Sequence, residues 1–169
     1  MARGRLVWLL AALVVLPCLP LRAQKSATAQ SMEAQGMVDI ATLDSTIRVS
    51  LMYSRADNFT GQVLYTDLRE ALLHPRAAKA LCEAQRLLQR RRPDLSLKIY
   101  DATRPMSVQA KMWRVVAGTP QQNYVSNPRN GGGLHNYGMA VDITLCDALT
   151  GDTLDTVSYT HLTLPTILR

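Results

Sequence analysis

The sequence predicts an α+β chain, and three observations carry that prediction. Residues 95–101 (LSLKIYD) and 139–146 (MAVDITLC) alternate side chains with the two-residue period of half-buried strands. Residues 75–92 instead repeat apolar side chains at three- and four-residue spacing, as an amphipathic helix does. A second, shorter helical pattern follows Ser107. At 169 residues the chain has room for one domain with a core of ordinary size.

The N-terminus has the three-part pattern of a secretory signal. Arg3 and Arg5 give a basic start, residues 6–16 are apolar, and Ala23 offers a small residue before the cut. Residues 1–23 are therefore expected to be removed on export. The apolar run is too short to span a bilayer, so no stable membrane anchor is expected. Residues 24–36 (QKSATAQSMEAQG) are small and polar, without periodicity, and predict a flexible leader.

In residues 37–54, Ile47, Val49 and Leu51 alternate and predict an extended element. The helix over 75–92 starts at Pro75 and is stopped by Pro93, with Ala77, Ala80, Leu81, Ala84, Leu87 and Leu88 as its packing face. The strand over 95–101 ends at Asp101, and Arg104-Pro105 then forces an extended turn, so Arg104 projects from a strand end. On residue type alone it is equally a surface arginine. Ser107 is placed to cap the second helix, with Val108, Met112, Val115 and Val116 facing inward and Gly118 ending it.

The formal charge of +6 is concentrated at the ends. Residues 24–156 hold 15 basic and 13 acidic side chains, a balance of +2 that implies no nucleic-acid partner. The run Arg90-Arg91-Arg92 closes a helix, where positive charge suits the dipole. Cys82 and Cys146 are expected as two buried thiols, despite an export context that permits a disulfide.

Residues 127–147 (NPRNGGGLHNYGMAVDITLCD) organise the chain. Three glycines lead a loop into His135, and the strand that follows carries Asp142 on its polar face. An imidazole and a carboxylate so placed can hold a divalent cation, zinc above all. Spacing alone fits a loop histidine and a solvated aspartate as well. The pattern His135-x-x-Gly138-x-Ala140-x-Asp142 resembles the zinc motif of the M15 peptidases, which include D-Ala-D-Ala dipeptidases and carboxypeptidases. Two further segments are similar to those of the dipeptidases: residues 53–61, with Asn58-Phe59-Thr60-Gly61 after Tyr53, and Tyr100-Asp101-Ala102-Thr103-Arg104-Pro105.

The resemblance implies an M15 (hedgehog/DD-peptidase-like) fold, a mainly antiparallel sheet with packed helices. It implies one Zn2+ held by His135 and Asp142, with Arg104 stabilising the oxyanion, and D-Ala-D-Ala as a small dipeptide substrate. A D,D-carboxypeptidase on cell-wall stem peptides, and a non-catalytic zinc or peptidoglycan-binding module, are the alternatives. The family often has Ser two residues before the His, where this chain has Gly133, so a hydroxyl in reach of substrate is expected to be missing. A Glu-x-x-His segment supplies the family's general base and third ligand, and no glutamate follows Glu83 here. The domain is therefore expected to be partial, over 37–155, with 157–169 (VSYTHLTLPTILR) a non-native tail whose His161 is no ligand. Such a shortened chain is expected to be inactive, and the complete enzyme exported to the periplasm or beyond.

Overall fold

The computed structural model describes residues 24–154; the expected signal sequence and the expected tail lie outside them. In chain order the elements are α1 (Ala27–Ala34), β1 (Val38–Asp39), α2 (Ile40–Leu43), β2 (Arg48–Val49), β3 (Leu72–Leu73), α3 (Pro75–Arg91), β4 (Leu95–Asp101), α4 (Met106–Val116) and β5 (Asp142–Asp147). Short 3₁₀ turns fill parts of the connections, among them Met52–Ser54 and Leu134–Tyr137. This is the α+β architecture that the alternating and helical stretches predict, with two of its three strand pairings antiparallel.

Strand β4 is central. It runs parallel to the two-residue β2 on one side and antiparallel to β5 on the other, while β1 and β3 form a separate antiparallel pair. Because β4 and β5 run in opposite directions, the end of the first lies beside the start of the second. That relation brings Asp101 opposite Asp142. The register slips between Ile99 and Asp101, a bulge that leaves Tyr100 as the extra residue and re-aims the strand end.

The core lies between the sheet and helices α3 and α4. Ile99, Leu72, Leu73, Ile40 and Met112 are among its fully covered side chains, and Val141, Ile143 and Leu145 pack against it from β5. Cys82 and Cys146 are both buried free thiols. Among the described residues no helix is long and apolar enough to cross a membrane.

Four sequence expectations are corrected. Residues 24–36 are not a flexible leader: α1 buries Ala29 and Met32, and Ser26 caps it by accepting from Ala29 N. Tertiary contacts override the segment's weak local pattern, since Ser26 N and Oγ both donate to Glu70 and Thr28 N and Oγ1 both donate to Asp67. The buried face of α3 is Ala78, Leu81, Cys82 and Gln85, rotated from the expected apolar stripe, and Leu87 is exposed. Gln85 causes the rotation. Its amide oxygen accepts from Leu97 N on β4, and its Nε2 donates to Ser96 Oγ and Thr46 Oγ1. Ser107 caps nothing, because α4 starts one residue earlier behind Pro105. Finally, the extended element expected over 37–54 is reduced to two-residue strands separated by the turn of α2.

Candidate metal and substrate site

The loop that delivers His135 is fixed to the turn after β4 by a ladder of polar contacts. Arg104 N donates to His135 O at 2.9 Å, and Asn136 Nδ2 donates to Arg104 O at 2.9 Å. Asn136 Oδ1 accepts from Gly133 N at 2.8 Å, which closes the 3₁₀ turn. Gly138 ends the turn at φ 66°, and a Cβ there would lie 2.7 Å from His74 N and 2.8 Å from both Met37 Sδ and Thr103 Oγ1. Only glycine fits that junction.

His135 and Asp142 meet as the sequence predicts. His135 Nε2 lies 3.5 Å from Asp142 Oδ1, and the opposite ring nitrogen, Nδ1, is 2.9 Å from Ala102 O. A carbonyl only accepts, so Nδ1 carries the proton and the neutral ring presents the Nε2 lone pair to Asp142. Two donors at zinc-bond length and tetrahedral angle stand about 3.3 Å apart, so the pair is spaced for one ion. It is too far apart for a strong direct hydrogen bond. Burial works against the charged imidazole, but Asp142, Asp101 and the Ala102 carbonyl outweigh it and raise its pKa above the usual value. For Asp142, burial pushes the pKa up, and His135 and Arg104 more than reverse that.

Asp101 belongs to the same cluster, whose three possible donor atoms lie within 4.8 Å of one another. It does not complete a three-ligand site. Its Oδ2 is 3.5 Å from Nδ1, the ring nitrogen facing away from Asp142, and one ion cannot bind both nitrogens of a ring. Its oxygens are also already engaged: Oδ1 accepts from the Tyr65 hydroxyl, and Oδ2 accepts from both Nε and Nη2 of Arg104. Among the described residues the donor set that fits zinc is therefore His135 and Asp142.

Arg104 is 7% exposed, so it is not the surface arginine that residue type alone allows. Besides Asp101 it meets Gln109 Oε1 at 2.9 Å through Nη1, and its guanidinium lies over the Tyr53 ring, 5.1 Å from the centroid. Burial opposes its charge and the Asp101 carboxylate more than compensates, which keeps it a cation. A guanidinium has five N–H donors. Nη1 also lies 3.3 Å from Met112 Sδ. Arg104, His135, Asp142 and Tyr53 line one cavity of about 490 Å³.

Tyr53 has a buried ring and a hydroxyl with no hydrogen-bond partner among the described residues. Burial, with Asp101 and Asp142 adding and Arg104 opposing, pushes its pKa up to about 12, so it stays a neutral phenol. Sequence reasoning placed Asp101 and Tyr53 inside motifs without giving either a task. The three-residue spacing from Asp101 to Arg104 across a strand end was the available signal for the first. Gln109 gave none, because a buried glutamine on an otherwise ordinary helix looks like any polar helix residue.

Comparison with known proteins identifies the family. The family model described as peptidase M15, D-ala-D-ala dipeptidase, matches residues 33–159. Over 111 residues the chain is 37% identical to D-alanyl-D-alanine dipeptidase of Escherichia coli (strain K12), covering 66% of this chain and 54% of that protein. The chain thus spans about half the length of the curated relative it matches. The matched range includes β4, the arginine turn and the segment from His135 to Asp142, and because it covers more than half of the chain, the chain belongs to the M15 family of D-Ala-D-Ala dipeptidases.

Proposed function

We propose that the complete protein is a zinc dipeptidase that hydrolyses D-alanyl-D-alanine to two molecules of D-alanine outside the cytoplasm. The observation that carries this reading is the pairing of His135 Nε2 with Asp142 Oδ1 at the spacing of two zinc ligands, in one cavity with Arg104. Zinc, when bound, supplies a Lewis acid and brings the pKa of its water down to about 7. His135 is held for ligation by the Ala102 carbonyl. The Arg104 cation, fixed by Asp101 and Gln109 before substrate arrives, stabilises the negative oxygen that develops on the attacked carbonyl.

The described residues supply two ligands and no separate carboxylate to act as base. A third ligand and a general base, the histidine and glutamate of the family's Glu-x-x-His segment, complete the site in this reading. A base contributes about 10²–10⁴ in rate, so residues 24–154 alone bind zinc weakly and hydrolyse little. Residues 1–23 direct export and residues 157–169 take no part. The test is D-alanine release by the complete protein, stripped of metal and then given zinc. Activity that returns with zinc and is lost in both His135→Ala and Arg104→Ala supports the reading. Activity indifferent to chelation and to both substitutions overturns it.

A further inference from the structure

The loop that carries His135 holds, at Gly133, a feature that the sequence gives no reason to expect. Gly133 has φ −133° and ψ −178°, extended backbone that any residue adopts, so its conformation does not require glycine. Space requires it. A Cβ at Gly133 would lie 2.5 Å from Ser126 Oγ and 3.1 Å from Ser126 Cβ. The Ser126 side chain fills the volume that a side chain at 133 would take, and both residues line the cavity with Arg104, His135 and Asp142. A hydroxyl from another segment therefore stands beside the position where residue 133 has no side chain.

Ser126 is also held in place. Its carbonyl accepts from Gln109 Nε2 at 2.7 Å, and the oxygen of the same fully buried amide accepts from Arg104 Nη1. One side chain thus ties the serine loop to the guanidinium. The Ser126 hydroxyl itself has no hydrogen-bond partner among the described residues. A fixed, unspent hydroxyl on the wall of a peptidase cavity is suited to a polar end of the substrate, as donor to a carboxylate or acceptor from an ammonium.

We propose that Ser126 Oγ is a substrate-contacting hydroxyl of this site, and that Gly133 lacks a side chain to admit it. The proposal rests on the dipeptidase reading. A hydrogen bond to a charged group made equally in the ground and transition states changes KM and leaves kcat alone.

The test uses the complete, zinc-loaded protein and D-Ala-D-Ala, with Ser126→Ala, Gly133→Ser and the exchanged pair Ser126→Gly/Gly133→Ser. Thermal melts confirm that each variant folds. Ser126→Ala is expected to raise KM about 10-fold at nearly constant kcat. Gly133→Ser alone is expected to raise KM and lower the melting temperature, because two side chains compete for one volume. The exchanged pair is expected to return KM to within about 3-fold of wild type, which loss of a merely structural serine would not do. D-Ala-D-alaninamide and N-acetyl-D-Ala-D-Ala identify the end contacted, since the Ser126→Ala effect disappears with whichever derivative lacks it. An unchanged KM in Ser126→Ala, or an exchanged pair no better than the worse single variant, overturns the proposal. A wild-type protein that releases no D-alanine overturns the dipeptidase reading instead, and this proposal with it.

Discussion

Arg104 and Asp101 form a buried, two-point ion pair in which Nε and Nη2 of the guanidinium both donate to one carboxylate oxygen. The aspartate is completely covered and the Tyr65 hydroxyl occupies its other oxygen. The site's permanent cation is thus oriented by a residue that ends β4, the strand on which the sheet is built. Asp101→Asn keeps the shape but leaves the Arg104 charge without its partner. Removing one member of a buried pair costs about 3–5 kcal/mol, and urea denaturation should show a loss of that size. Arg104→Met with Asp101→Asn removes both charges and should recover part of the loss.

Metal affinity should depend on two side chains and not on the third of the cluster. His135→Ala and Asp142→Ala should each weaken zinc binding by more than the roughly 10–100-fold typical of outer-shell changes. Asp101→Asn should stay within that range, because its oxygens are directed to Arg104 and Tyr65. Calorimetric titration of zinc into the metal-free protein measures all three.

Gly138→Ala should destabilise the chain. The residue sits at positive φ, and an added methyl would meet His74 N, Met37 Sδ and Thr103 Oγ1, all closer than 3 Å. The backbone conformation alone costs about 1–2 kcal/mol for a non-glycine residue. A thermal melt of the variant should show more than that loss, with the clash added.

Acid should release α1 before the rest of the fold. Hydrogen bonds from Thr28 lower the pKa of Asp67; for Glu70, burial pushes the pKa up, but bonds from Ser26 and Arg69 N outweigh it and lower it. Groups with depressed folded-state pKa values give stability that is complete above their unfolded values, near 4, and is lost as pH falls through the folded ones. Hydrogen exchange at the amides of residues 26–30 should therefore accelerate below about pH 4. Glu70→Gln should show faster exchange there already at neutral pH.

The parts of this fold legible in the sequence are those where local pattern and tertiary environment agree. Strand β4 has the bounds its alternation predicts, and the three glycines, His135 and Asp142 lie on loop and strand as read. Pattern fails where one polar side chain does tertiary work. Gln85 turns α3 by bonding to a strand that β2 is too short to pair along its length, and Glu70 and Asp67 order a helix whose own residues have no strong preference. Within the site the closeness of His135 and Asp142 was readable because only a short turn separates the loop from the start of the strand. The supports were not, since Gln109 and Ser126 reach Arg104 and Gly133 only through the fold.

The measurement that bears most directly on the account is an anomalous difference map at the zinc edge from crystals of the complete protein. One peak is expected at about 2.0–2.2 Å from both His135 Nε2 and an Asp142 carboxylate oxygen, with the Arg104–Asp101 pair intact beside it. A peak at the Nδ1 side of His135, or His135 and Asp142 standing apart with no ion between them, would contradict it.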